Sequence, residues 1–171
     1  MNNQIQVKYK KLTPLAKDPV MANPGDACYD VCATGFKQEA GVVIVSTGLA
    51  FAVPLGYEMQ VRSRSGLASK GVFVTNGIGT VDSGYRGEVK VLLSAIGGNS
   101  FLSEFDRVLK IANIELRVGD RVAQLAIREV PSSVMMEVEE LDETERGTNG
   151  FGSTGVSSLP EAEQKKSKGK G

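Results

Sequence analysis

Histidine is absent from this chain of 171 residues. That removes Ser-His-Asp and Cys-His nucleophile systems, HExxH zinc sites and every acid–base scheme built on imidazole. Cysteine is scarce: two occur, Cys28 and Cys32. They lie too close in sequence to suggest a disulfide framework, and by themselves they cannot complete a tetrahedral zinc site. Net charge is missing as well, since 20 Lys and Arg balance 20 Asp and Glu. No global field draws the chain toward nucleic acid or an anionic membrane, so any anion site must be built locally. No run approaches the roughly 18 apolar residues of a membrane helix. The N-terminal MNNQIQVKYKKL has no apolar signal core. A reducing, cytoplasmic setting is expected, with no membrane and no specific nucleic-acid partner. If the chain is an enzyme, its base is a carboxylate, and its electrophilic help comes from Arg, Lys, amides or a hard cation.

What is present is β-rich. Hydrophobic residues make up 41% of the chain, ordinary for a globular protein. Gly41 to Val53 reads GVVIVSTGLAFAV, dominated by residues that fit a pleated, half-buried surface. YEMQVRS, GVFVT, GEVKVLLSAI, KIANIEL, RVAQLAI and MMEVEEL repeat the theme, several with period-two alternation. Turn signals such as Pro54-Leu55-Gly56 punctuate them. LASKG predicts one helical turn and FLSEFDRVL (Phe101 to Leu109) about two. Regularly spaced short strands indicate an all-β sandwich, barrel or jelly roll. From Asp142 onward core-forming residues nearly vanish. The chain ends in the polar, lysine-rich SSLPEAEQKKSKGKG, which reads as a disordered, solvated tail.

Five segments carry candidate chemistry. RGTNGFGSTG (Arg146 to Gly155) contains a GxGxxG spacing, but no βαβ unit surrounds it, so a dinucleotide-binding reading fails. Two readings remain. One is a glycine-rich linker. The other is a flap whose backbone N–H groups at Gly152, with Ser153, Thr154 and Arg146, hold phosphate while Phe151 stacks on a base. VRSRSGLASKG (Val61 to Gly71) sets Arg64, Ser65 and Gly66 in series after a strand. That is equipment for a polyphosphate, or an ordinary turn with solvated arginines. In NGIGTVDSGYRGEVKV (Asn76 to Val91), Asp82 lies among glycines, with Asn76, Gly79 and Val81 before it and Tyr85 after it. Asn76 can offer a donor and an acceptor to a base edge, although an Asp in a turn is commonly turn chemistry alone. In GDRVAQLAI (Gly119 to Ile127), Gln124 interrupts an apolar strand and needs a partner for its amide; a satisfied edge-strand glutamine is the plainer alternative. PGDACYDVCA (Pro24 to Ala33) contains Asp30.

Taken together and in this order, these five segments resemble the motifs of the trimeric dUTPase family. The resemblance runs from about the first strand to Gly155. It implies an all-β, jelly-roll-like distorted barrel and a homotrimer. It also implies hydrolysis of dUTP to dUMP and pyrophosphate with Mg²⁺, a reaction that limits uracil in DNA and supplies dUMP. Each site in that family is assembled from three chains, the flap coming from a different subunit than the pocket. Residue by residue, the resemblance implies that Asp82 binds the 3′-OH and orients or activates the attacking water. Asn76, Gly79 and Val81 line the uracil pocket; Tyr85 packs under the deoxyribose and leaves no room for a 2′-OH. Phe151 stacks on uracil. Arg64, Ser65, Gly66 and Gln124 meet the phosphates, as do Arg146, Gly152, Ser153 and Thr154. Asp30 is associated with the metal through water and with structural contacts.

The chain departs from the pattern at several places. Cys28 stands where glycine is usual, Gly84 replaces a common acidic residue, and Thr148-Asn149 vary the flap. The link between third and fourth motifs is longer by about a dozen residues, a size of loop that tends to be functional or disordered. The expected organisation is a core at 1–141 with an insert within 97–115, a flap at 142–155 and a tail at 156–171. The insert is expected to be a surface excursion that meets a neighbouring subunit or a protein partner, or else a tolerated insertion. Two other functions are considered: a regulatory, protein-binding relative of these enzymes, and a dCTP deaminase-like enzyme sharing the fold.

Overall fold

Alternation decides the architecture. In β4 (Val42–Ala52), Val43, Val45 and Thr47 are buried while Val42, Ile44 and Ser46 are half-buried. One face therefore carries the core, and each fully buried valine contributes about 1.5–3 kcal/mol. The computed structural model describes residues 4–97, 100–102, 108–112 and 114–149. Elements follow in the order β1 (Lys8–Lys11), β2 (Tyr29–Cys32), β3 (Gly35–Glu39), β4, β5 (Tyr57–Arg62), α1 (Ser65–Ala68), β6 (Val72–Val74), β7 (Gly79–Val81), β8 (Glu88–Ala95), β9 (Ser100–Leu102), β10 (Val108–Ile111), β11 (Ile114–Arg117) and β12 (Arg121–Glu129).

All the pairings are antiparallel. One sheet runs β1-β4-β8-β6, with β3 also on β4; a second runs β2-β12-β5-β7; a third, smaller one runs β11-β10-β9. Their inner faces share one apolar cluster, including Leu49, Met59, Val91, Leu93, Leu109 and Leu125. The all-β, jelly-roll-like expectation holds. The β3–β4 hairpin closes through Ala40 and Gly41, both at positive φ, the requirement of a two-residue turn that keeps the strand twist.

Strand β4 is interrupted opposite the start of β8. Its register with β8 shifts between Ser46 and Ala50, a β-bulge, and Gly48 inside it has φ +66°. The buried Thr47 hydroxyl donates to the Val89 carbonyl at 2.6 Å and accepts from the Leu49 N–H at 3.2 Å. The bulge thus leaves no unpaired hydroxyl in the core.

Three expectations are corrected. Phe101 to Leu109 is not helical where described: Ser100–Leu102 and Val108–Ile111 are strands β9 and β10. Leu109 and Ile111 alternate inward and pair across from Leu116 and Ile114, and that two-residue period wins over the helical spacing. The same residues correct the picture of 97–115 as a surface excursion. Leu109 and Ile111 are 0% and 1% exposed, so the second half of the segment is core. MMEVEEL forms no strand among the described residues, because β12 ends at Glu129 and Pro131 offers no N–H to a ladder.

The chain divides into two compact units, Met1–Ser133 and Val134–Gly171, so the boundary falls eight residues before the expected 141/142. Within the second, residues 145–148 form a turn. Gly147 N donates to Thr144 O at 3.0 Å, and Arg146 Nε donates to Asn149 O at 3.0 Å.

Candidate active site

The residues singled out in the sequence gather in two groups, set by the two ends of β5. The first group belongs to β7 and the turn that carries the chain from it to β8 in the other large sheet. Gly79 pairs with Val61 and Val81 with Met59, which brings Asp82 to the end of the strand. Space at Gly79 is tight: a Cβ there would lie 3.2 Å from both Asn76 Nδ2 and Val61 Cβ, so the Asn76 amide packs directly over the glycine. The turn is closed by Tyr85 N, which donates to Asp82 O at 3.0 Å. Asp82 itself is exposed, and its carboxylate makes no hydrogen bond or ion pair with the described residues. A groove of about 450 Å³ opens here, lined by Thr80, Val81, Asp82, Tyr85, Glu88 and Lys90 among others. The carboxylate faces solvent at the lip of a concave surface, free to meet a ligand or a water.

The second group surrounds a buried acid. Asp30, 5% exposed on β2, sits opposite Gln124 of the central strand β12. Arg64 Nε donates to its Oδ1 at 3.0 Å and Arg64 Nη2 to its Oδ2 at 3.5 Å. Arg121 Nη1 donates to Oδ2 at 2.9 Å, and Gln124 Nε2 donates to Oδ1 at 3.2 Å. A carboxylate has about four acceptor positions, so this one is filled by protein donors. Two guanidiniums around one carboxylate leave the cluster cationic, which suits an anion. Ser65 and Gly66 follow at the start of the four-residue helix α1, both exposed, and a Cβ on Gly66 would meet nothing within 4 Å. Among the described residues nothing demands glycine at that position.

The Gln124 amide has its partner, as expected, but β12 lies between β2 and β5, so it is not an edge-strand residue. Arg121 was missed in the sequence. It stands inside the segment GDRVAQLAI, where its charge could have been weighed against that of Asp30. Beside this cluster, burial pushes the Cys32 thiol up, with the nearby Lys17 and Arg121 pulling the other way. A protonated thiol is a poor nucleophile, so covalent sulfur chemistry has no support here.

The two groups do not meet within one chain. Asp82 lies just past the Met59–Val81 pair, level with Glu58, whereas Arg64 lies beyond the opposite end of β5. At about 3.3 Å per strand residue, the six steps from position 58 to 64 span roughly 20 Å. A single phosphate cannot touch both. A further cavity, about 500 Å³, is lined by Tyr9, Tyr29, Phe51, Met59 and Leu125 among others and holds no member of either group. Arg146 lies in the second unit. Phe151, Gly152, Ser153 and Thr154 lie outside the described residues.

A family model described as dUTPase matches residues 15–155. The chain is 43% identical over 157 residues to the deoxyuridine 5′-triphosphate nucleotidohydrolase of Wolinella succinogenes, covering 90% of this chain and 97% of that one. It is 38% identical to the enzyme of the same name from Helicobacter pylori, covering 90% and 99%. Among solved structures, the dUTPase of Staphylococcus bacteriophage 80alpha with dUpNHpp superposes with a TM-score of 0.71. The identity there is 26%, over 88% of this chain and 99% of that one.

Proposed function

The chain belongs to the dUTPase family, and on that premise we propose that it hydrolyses dUTP to dUMP and pyrophosphate at sites shared between the subunits of a homotrimer. The observation that carries the shared site is the separation of the two groups. The carboxylate suited to water activation and the cationic cluster suited to phosphate lie at opposite ends of β5. A neighbouring copy must therefore bring its own Arg64 cluster to the Asp82 turn. Cyclic association of identical chains supplies that contact three times over.

In this reading uracil enters beside Asn76, Gly79 and Val81, and Tyr85 lies under the deoxyribose. Asp82 holds the 3′-OH and orients or activates the water that attacks the α-phosphorus in line. Arg64, Ser65, Gly66 and Gln124 of a second copy receive the phosphates. Arg146, Gly152, Ser153 and Thr154 close over the β- and γ-phosphates, with Phe151 on the base. The triphosphate is highly charged, so most of the acceleration comes from positioning and charge neutralisation. Closure then excludes water that would screen those charges.

The family implies Mg²⁺. Among the described residues no three Asp, Glu or Cys side chains converge on a common point. Mg²⁺ dehydrates reluctantly and is commonly held by one or two carboxylates plus substrate phosphates, so this donor set fits an ion carried mainly by the nucleotide. When bound, it supplies charge neutralisation on the phosphates. Asp30 joins it through water only if one of its present donors lets go; its first role here is to hold Arg64. No helix among the described residues is long and apolar enough to cross a membrane. A cytoplasmic location belongs to the same reading.

The test is pyrophosphate release measured across dUTP, dTTP, dCTP and UTP, with ammonia release followed for dCTP. Rapid release from dUTP alone is expected. Ammonia from dCTP would replace this reading with deamination, and no turnover of any nucleotide would favour a purely protein-binding role.

A further inference from the structure

The side chain assigned to the sugar is 47% exposed yet tethered at its hydroxyl end. Tyr85 Oη donates to the Glu88 carbonyl at 3.0 Å, so the ring folds back over the two intervening residues. It lies across Gly87. A Cβ built on Gly87 would run into Tyr85 Oη, with Cζ 2.7 Å and Cε2 3.1 Å away, closer than real carbon contacts allow. Gly87 is not among the glycines at positive φ, so the ring and not the backbone calls for glycine here. Glu88 is fastened in turn. Its Oε1 accepts the Gly48 N–H at 2.8 Å, and its neighbour's carbonyl, Val89 O, accepts the Thr47 hydroxyl. Both donors belong to the β4 bulge. Gly48 there cannot be enlarged: a Cβ would collide with Thr13 Cγ2 and lie 3.0 Å from Ala16 Cβ. The carbonyl that holds the Tyr85 hydroxyl therefore belongs to a residue tied to a tightly packed bulge of the sheet.

We propose that Gly87 and Glu88 are positioning residues for Tyr85, and that through Tyr85 they set the rejection of nucleotides carrying a 2′-hydroxyl. A wall rejects an extra hydroxyl only if it cannot yield, because a ring free to swing aside would admit the ribose at little cost. Neither residue need touch the nucleotide: Gly87 provides the slot, and Glu88 fixes the carbonyl at its end. The inference rests on the reading of Tyr85 as the sugar contact.

The test compares kcat/KM for dUTP and for UTP in the wild type and in Tyr85→Ala, Gly87→Ala, Glu88→Ala and Glu88→Gln. Gly87→Ala should fold normally, since the one group barring the new methyl is the end of a side chain, and thermal melting at wild-type temperature checks this. Its dUTP/UTP preference should fall at least ~10-fold, as should that of Tyr85→Ala. Glu88→Ala should fall in the same direction. Glu88→Gln, whose Oε1 still accepts the Gly48 N–H, should restore the preference. If Tyr85→Ala keeps the wild-type preference, the sugar assignment itself fails. If Tyr85→Ala loses it while Gly87→Ala and Glu88→Ala keep it, that assignment stands and the positioning role is overturned. A Glu88→Gln variant as impaired as Glu88→Ala would remove Glu88 from the device.

Discussion

Replacing Asp30 by Asn tests the phosphate cluster at its centre. The carboxylate is 5% exposed and accepts from Arg64, Arg121 and Gln124. Asparagine retains one acceptor, enough for Arg64 Nε and Gln124 on the Oδ1 side. On the other side its NH₂ would confront Arg121 Nη1 and Arg64 Nη2, donor against donor. Hydrogen bonds to charged groups contribute about 1.5–3 kcal/mol each, and removing one partner of a buried ion pair costs about 3–5 kcal/mol. The Arg64 side chain is 22% exposed, so the upper part of that cost is attenuated and about 3 kcal/mol is expected. Arg121→Ala is the comparison: its side chain is 54% exposed, and the loss should be about 1 kcal/mol or less. Urea unfolding and thermal melts at matched protein concentration measure both, concentration mattering because assembly is coupled to stability. At roughly 2–4 °C per kcal/mol for a chain of this size, Asp30→Asn should melt about 6–12 °C lower. Its kcat/KM should fall in parallel as Arg64 loses its anchor. A variant within ~1 kcal/mol of wild type, or one no weaker than Arg121→Ala, would refute the reasoning.

Asp82→Asn should bind nucleotide as the wild type does and lose at least ~100-fold in kcat, because the amide oxygen can still accept from the 3′-OH while the charge that acts on water is gone; equilibrium binding beside steady-state rates checks this. Leu109→Ala should cost about 2–5 kcal/mol, as expected of a fully buried leucine, whereas deletion of residues 98–106 should leave assembly and turnover intact; urea curves and sedimentation separate the two cases. Truncation before Arg146 should leave a folded trimer that hydrolyses dUTP poorly, measured by sedimentation and pyrophosphate release, and full activity would contradict the flap.

Much of the fold was legible because its signal is local. The unbroken valine and isoleucine run at 42–45 favours a strand whatever lies beside it, and Gln124 announced that it needed a partner. The misreadings arose where two local signals competed. Phe101, Leu102, Phe105, Val108 and Leu109 are spaced as on a helix, yet Leu109 and Ile111 also fit a strand, and pairing with β11 decided between them. MMEVEEL alternates like a strand but has no ladder in the described chain. The cluster around Asp30 was illegible for a different reason. Its bonds join residues 34, 91 and 94 positions apart, and no local pattern encodes such a meeting. The bulge at Gly48 is of the same kind, since the need for glycine comes from Thr13 and Ala16 far back in the chain. The five motifs singled out the candidate residues; how those divide between the ends of β5 emerged only with the strand register.

Complementation between two impaired chains tests the shared site most directly. Asp82→Asn and Arg64→Gln proteins are each assembled, assayed for pyrophosphate release from dUTP, then unfolded together at equal concentration and refolded as mixed trimers. If the Asp82 turn and the phosphate cluster of each site come from different copies, random assembly leaves about a quarter of sites with both intact, and activity should rise to roughly that fraction of wild type. If one chain supplied both, every site would retain a defect, and mixing would recover nothing.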